Sequence, residues 1–528
     1  MSLLYHTYVY LEFLILACTI YILTPKVLKP NDAEQKVERT NKVCYTKNKE
    51  SVMRMNEKMT NYFNIMAQII RVIIESDKYN EKNFLSILYD YDSKEYRELR
   101  FCVPVLFQIN GEKVIPANLR LRDMNTQFFS VLESIEKRKE IYELMLLLYY
   151  MDRAIVECYK RWYCYEDDEM VIESLNSNKS TTNISLIKRT KCKWGLSQIG
   201  SGLDGLLYHF FYINNKEIPN FVVKNHILSP EVLRGIGKNK LKMALSPITK
   251  DKVVEFSEPY ERRNDVTGAK QKYFRVEKVI DEESVYEQVL GKIYMAGEND
   301  VDIMVFPEML GTESMLTKIQ DELTEKNTKQ VPDLIIFPSI WDKTENDLEN
   351  RNRSCVILNG RTVLFEQYKY ADYKNFIKDI PVYEDINRNK GKNIIHMIHI
   401  EGIGRICIVI CVDYLDENNR KNIMNHLFPT LVCVPSFSTG SVQFLLLAEK
   451  YLNKGCNWIW CNTCSAAHET IKKENFKVVG AITKWDKDWN LKEEGLKNFF
   501  PGKFKCEKLT CDGCIYMEEI SLKIVEKK

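Results

Sequence analysis

Apolar positions recur at helical spacing in the first half of the chain and gather into short runs in the second, and the change of period falls near residue 238. Val52, Met55, Met59, Phe63, Met66, Ile70 and Ile73 stand three or four apart, which predicts an amphipathic helix whose Met-rich stripe faces a core. Residues 97–108 and 113–119 flank Asn110-Gly111, a dipeptide that favours the positive φ angles of a tight hairpin turn. Helical spacing returns from residue 126 to about 162, with Phe128, Val131, Leu132 and Ile135 and then the run Leu144 to Tyr150 as apolar faces. Residues 174–185, Ser-Leu-Asn-Ser-Asn-Lys-Ser-Thr-Thr-Asn-Ile-Ser, break every period and read as an exposed loop.

Beyond residue 238, strand-like runs at 241–245, 302–306, 334–338, 354–358, 362–367, 394–399, 405–410, 430–435 and 457–461 alternate with helical patterns at 283–296 and 442–453. This is the grammar of an α/β domain, in which sites gather at strand ends. The expected organisation is an apolar N-terminal helix over 1–25, a mainly helical domain over 26–235 and the α/β domain over 238–528.

The stretch from Leu3 to Leu23 is apolar but interrupted by His6, Thr7, Glu12 and Thr19. It reads as a helix buried against the chain or a partner, or as a membrane anchor with its glutamate at a costly depth. Lys26, Lys29, Lys36, Arg39 and Lys42 follow it, which under the positive-inside rule keeps the rest of the chain on the cytoplasmic side.

Composition narrows the functional classes. With 75 Lys+Arg against 73 Asp+Glu the net charge is +2, so no global field recruits nucleic acid. A mean hydropathy of −0.31 excludes a polytopic membrane protein. Sixteen cysteines scattered along the chain read as free thiols in a reducing, cytoplasmic compartment, and seven histidines leave few Cys–His dyads to consider. A short basic patch, Lys188, Arg189, Lys191 and Lys193 beside Trp194, is the one candidate for nucleic-acid contact and is otherwise a solvated face. Gly200-Ser201-Gly202-Leu203-Asp204-Gly205 has dinucleotide-loop spacing but lacks a preceding strand, so it reads as a turn. Cys506, Cys511 and Cys514 form a C-x4-C-x2-C cluster to which Cys461, Cys464 or His468 could add a zinc ligand, with free thiols as the alternative. No cofactor is called for.

Three residues that follow apolar runs carry more weight: Glu308 in Val-Phe-Pro-Glu, Lys369 in Glu-Gln-Tyr-Lys-Tyr and Cys411 in Ile-Val-Ile-Cys-Val-Asp. A thiol near pKa 8.5 needs a base to become a nucleophile, which a glutamate supplies, while a fixed ammonium stabilises a developing oxyanion. Cys407 lies four residues before Cys411 and on a continuous strand would share its face.

In order, context and spacing, Glu308, Lys369 and Cys411 resemble the Glu-Lys-Cys triad of the nitrilase, or carbon–nitrogen hydrolase, superfamily. Residues 241–247, 296–308, 404–413 and 434–436 resemble its successive motifs, as do Ala448-Glu449, Asn462 and Gly480-Ala481-Ile482. The resemblance covers about 238–495 and nothing in 1–235. It departs from the family at Leu415-Asp416-Glu417-Asn418, where an Arg and a Pro are usual, and at Tyr368-Lys369, which lacks an intervening residue.

The resemblance implies a four-layer αββα sandwich and hydrolysis of a small amide or nitrile. In it Cys411 is the nucleophile, Glu308 the base, and Lys369 with the Val412 N–H the oxyanion stabiliser. Glu384, in Pro381-Val382-Tyr383-Glu384, matches the position of a second glutamate. A homo-oligomer is expected, as is a sensing or partner-binding N-terminal part of the kind found in bacterial antiphage systems. The competing expectation is a non-enzymatic assembly module with a vestigial triad.

Overall fold

The computed structural model describes residues 59–76, 107–110, 113–116, 141–158, 169–194, 203–264, 267–325, 331–343, 350–386, 392–452, 454–469, 478–484 and 514–522. Two seven-stranded sheets organise these residues. The first runs Ile340–Lys343, Asn350–Leu358, Leu334–Ile336, Ile303–Val305, Lys240–Leu245, Tyr516–Ser521, with Thr362–Tyr368 also paired to Asn350–Leu358. Its three central strands are parallel, and the middle one, Ile303–Val305, is buried along its whole length, as expected where both faces of a sheet are covered. The second sheet runs Gly480–Ile482, Asn457–Asn462, Leu431–Ser436, Gly404–Ile408, Asn393–Ile400, Phe221–Leu228, Glu169–Ile172.

The alternation of side chains along each strand explains the layers. Met243, Leu245, Ile303, Val305 and Ile336 of the first sheet share one core with Ile398, Ile406, Ile408, Cys433 and Ile459 of the second, so the two sheets pack face to face. The opposite face of the first sheet, through Ala244, Met304 and Ile335, packs on Val285, Val289 and Ile293 of the helix Glu282–Glu298 and on Met315 and Ile319 of the helix Glu313–Glu325. The outer face of the second sheet, through Cys407, Val432, Trp458 and Trp460, packs on Phe444, Ala448 and Tyr451 of the helix Val442–Leu452. The result is the four-layer αββα sandwich expected from the sequence. Each large side chain removed from water in these cores, such as Phe306 or Trp460, is worth roughly 1.5–3 kcal/mol against conformational entropy.

Each strand and helix expected after residue 238 is observed within a few residues of its expected bounds, and the structure adds others that the pattern did not predict, among them the helix Glu313–Glu325 and the strands Lys270–Phe274, Ile380–Glu384 and Tyr516–Ser521. Before it, the hairpin appears as Phe107–Asn110 paired with Lys113–Pro116, and helices occupy 59–74 and Ile141–Cys158. Tyr62, Met66 and Ile70 of the first of these are fully buried, and the Tyr62 hydroxyl donates to Met151 O at 2.7 Å. The expected apolar segment 1–25 lies outside the described residues. Among those described, no helix is long and apolar enough to cross a membrane.

Two expectations are corrected. The boundary drawn at residue 238 separates strands that the structure joins: Phe221–Leu228 pairs in parallel with Asn393–Ile400 along eight residues, and Glu169–Ile172 pairs with Phe221–Leu228. The second sheet therefore begins at Glu169.

Residues 174–185 are also not an exposed loop. They hold a short helix, Lys179–Thr182, and lead into the strand Ile184–Lys188, which pairs with Phe210–Asn214. Their Asn and Ser side chains replace backbone partners. Asn176 Nδ2 donates to Ile184 O at 3.0 Å and Asn176 Oδ1 accepts from Leu186 N at 2.9 Å, while Asn64 Oδ1 accepts from Ser177 N at 2.8 Å. Polar residues were here the means of closing a turn, as side-chain amides commonly are.

Candidate active site

Glu308 follows the strand Ile303–Val305 and has no exposed surface. The Phe306-Pro307 step carries the chain off the sheet, and Met309 then takes φ 66, a left-handed conformation uncommon for a residue with a side chain. Three donors converge on the carboxylate. Lys369 Nζ and Asn352 Nδ2 reach Oε1 at 2.7 and 2.8 Å, and Phe437 N reaches Oε2 at 2.9 Å. Burial pushes its pKa up, and the Lys369 charge opposes that shift.

Lys369 stands just past the strand Thr362–Tyr368, with its side chain 1% exposed. Its ammonium donates to Glu308 and, at 2.6 Å, to Oε2 of Glu384 at the end of the strand Ile380–Glu384. Burial by itself would lower the lysine pKa, but the Glu308 and Glu384 carboxylates outweigh it and hold the group well above its ordinary value. The ammonium therefore keeps its charge throughout the physiological range. Its backbone is fixed from two sides: Lys369 N donates to Asn352 O at 2.8 Å, and the next two amides, of Tyr370 and Ala371, donate to the buried carboxylate of Asp413.

Cys411 belongs to the turn between the strand Gly404–Ile408 and the short helix Val412–Leu415. Its φ of 49 and ψ of −109 are strained for a non-glycine residue, and its N–H is tied to Pro435 O at 2.8 Å. Cys411 is 5% exposed, its thiol donates to Phe437 O at 3.9 Å, and the Glu308 carboxylate stands beside it. Burial and the neighbouring Glu308 charge raise its pKa well above that of an ordinary thiol, with Lys369 opposing. At rest it carries its proton, and a base is in contact to remove it.

Glu308, Lys369, Glu384 and Cys411 are thus brought into one buried cluster, with Val412 half-buried beside the thiol. Lys374 and Lys392 are exposed, the former with its ammonium 4.8 Å from the Phe376 ring centre. Cys407 sits on the strand itself, inside the outer core, with a pKa raised to about 12 by burial. The strand stops at Ile408, and Cys411 follows on the turn beyond it.

Sequence reasoning missed Asn352, the side chain that touches both glutamates. It stands in Asn350-Arg351-Asn352-Arg353 on a strand, a polar run that reads as solvent-facing.

The other candidates fall elsewhere. Cys506 and Cys511 lie outside the described residues. Cys514, Cys461 and Cys464 are buried, and His468 Nε2 is paired with Lys250 O at 2.8 Å. Among the described residues no cluster of His, Cys, Asp and Glu is placed to hold a metal ion. Of the basic patch, Lys188 and Trp194 are buried and Arg189 pairs with Asp204 at 2.5 Å, while Lys191 is exposed, so only part of it is a solvated face.

No family model matches the sequence, and no curated protein matches it. Solved structures do. The chain is similar to the glutamine-dependent NAD+ synthetase of Acinetobacter baumannii at 15% identity and TM-score 0.34, over 55% of this chain and 48% of that one. It is similar to the C. elegans NitFhit protein at 14% identity and TM-score 0.34, over 54% of this chain and 61% of that one. It is also similar to Saccharomyces cerevisiae Nit3, a member of branch 10 of the nitrilase superfamily, at 12% identity and TM-score 0.31, over 55% of this chain and 92% of that one. The chain therefore spans less than two thirds of the first two of these proteins and nearly all of the third.

Proposed function

We propose that this chain is a carbon–nitrogen hydrolase of the nitrilase superfamily that cleaves a small amide, or a nitrile, through a thioester on Cys411. The observation that carries the reading is the buried contact of a thiol, a carboxylate and an ammonium at the exits of three strands. As Sγ attacks the carbonyl carbon, its proton passes to Glu308, and the carbonyl oxygen, now an oxyanion, is stabilised by the Lys369 ammonium and the Val412 N–H. Collapse breaks the C–N bond, and the Glu308 proton leaves on the amine. Water then adds to the thioester, giving a proton back to Glu308. The second collapse releases the acid and returns that proton to the thiol. Glu384, 2.6 Å from the ammonium, keeps Lys369 charged and aimed.

The same proposal gives the chain before Glu169 a sensing or partner-binding role, in a homo-oligomer and in an antiphage setting. The test is to expose the full-length protein to a metabolite extract and measure its intact mass. An acyl adduct on Cys411 that is absent from Cys411→Ala is the expected result. No adduct on wild type at any time after mixing, together with no more ammonia released from the extract than by Cys411→Ala, would overturn the reading in favour of an assembly module.

A further inference from the structure

Asn352 lies on the strand Asn350–Leu358 and is 1% exposed. Its Nδ2 donates to Glu308 Oε1 at 2.8 Å and to Glu384 Oε1 at 3.2 Å. Lys369 Nζ donates to the same two groups at 2.7 and 2.6 Å. The carboxylates are therefore joined twice, once by a cation and once by a neutral amide. An amide nitrogen has two N–H bonds, one for each carboxylate, and ionised carboxylates only accept, so they dictate which end of the amide faces them. In consequence Asn352 Oδ1 is buried with no hydrogen-bond partner. A buried polar atom left unpaired on a core strand is unusual, and it is tolerated here beside the one atom of the same group that serves two others.

Charge explains why an amide stands there. One ammonium against two carboxylates leaves the cluster with an excess negative charge on its base. A second cation would hold Glu308 ionised but weaken it as a proton acceptor, and an apolar side chain would leave two buried charges with one fewer donor each. An amide supplies donors without charge.

We infer that Asn352 is a positioning residue of this site, a neutral two-pronged donor that locks Glu308 and Glu384 to each other and keeps Glu308 ionised and aimed at Cys411. This rests on the reading of the site as a thiol-dependent hydrolase. Asn352 does not touch the thiol, so it acts through Glu308.

The test uses iodoacetamide on the full-length protein, with labelling of Cys411 followed by peptide mass from pH 5 to 9, and it needs no knowledge of the substrate. In wild type, labelling falls on the acid side as Glu308 takes up a proton. Asn352→Leu, similar in volume and without a donor, moves that fall upward by about one pH unit and slows labelling at neutral pH by up to roughly tenfold. Asn352→Asp adds a third carboxylate and moves it further in the same direction. Near-UV circular dichroism reports whether each variant is folded. An unshifted profile in folded Asn352→Leu, or in Asn352→Asp should the first not fold, overturns the inference and leaves the hydrolase reading in place. Wild-type Cys411 labelling that matches Glu308→Gln at every pH overturns the hydrolase reading itself.

Discussion

Asp302 and Glu308 stand at opposite ends of the same short strand, Ile303–Val305, and each is half of a buried pair of carboxyl groups. At the far end from the thiol, Asp302 is hydrogen-bonded by Asp333, and burial raises the pKa of both. Asp302 accepts from Gly235 N at 2.6 Å and Lys242 N at 2.7 Å, and Asp333 accepts from Arg234 N at 2.8 Å and pairs with Arg234 Nε at 2.6 Å. At the near end the donors to Glu308 and Glu384 are mostly side chains, and a thiol is in contact. Burial raises a carboxyl pKa at both ends, so a perturbed pKa does not by itself separate the two. The donors do. Backbone amides fasten Asp302 and Asp333 to the chain around them, whereas Lys369 and Asn352 leave Glu308 within reach of a group that exchanges protons.

The comparison breaks most sharply if Glu308→Gln, which keeps volume but removes the base, retains turnover. The expected loss is about 10²–10⁴-fold, with Tm little changed, whereas Asp333→Asn leaves turnover intact. Next, Lys369→Ala strands two buried carboxylates, and urea unfolding is expected to show a loss of about 3–5 kcal/mol.

Gly235→Ala tests the distal end. A Cβ there would sit 2.3 Å from Asp302 Oδ2 and 2.4 Å from Lys240 O, so a destabilisation of about 1–3 kcal/mol with unchanged turnover per folded molecule is expected. The last effect is in pH dependence. Asp333, raised from 3.8 to about 7, binds a proton in the folded state that the unfolded chain has released. Stability contributed by that proton is present below the lower value and is lost as pH rises toward the upper one. Tm measured from pH 4 to 8 is expected to fall across this window in wild type and to fall less in Asp333→Asn.

What the sequence made legible follows from the physics of each element. Strands such as Leu334–Ile336 and Leu431–Ser436 are buried on both faces, so they stand out as apolar runs, and Glu308 and Cys411 are conspicuous as the first reactive groups after such runs. Phe221–Leu228 is equally buried toward its end, but its middle reads Lys224-Asn225-His226. Those polar residues are matched only in three dimensions, where His226 Nε2 meets His396 Nδ1 at 2.8 Å and Asn225 Oδ1 meets His399 Nε2 at 2.8 Å. Asn352 was hidden for the same reason. Its partners are 44 and 32 residues away along the chain, and no local pattern announces a buried amide whose donors are spent on distant carboxylates.

The pairing of Tyr516–Ser521 with Lys240–Leu245 also sets a clock. At ribosomal speeds of about 5–20 residues per second, the later strand emerges some tens of seconds after the earlier one. During that interval Lys240–Leu245 has a neighbour to join on one side, Ile303–Val305, and an open edge on the other. An apolar strand with an unpaired edge is a template for pairing with another chain. The half-built sheet, rather than the finished one, is therefore the species most in need of a chaperone, and slow translation of the last segment lengthens its exposure.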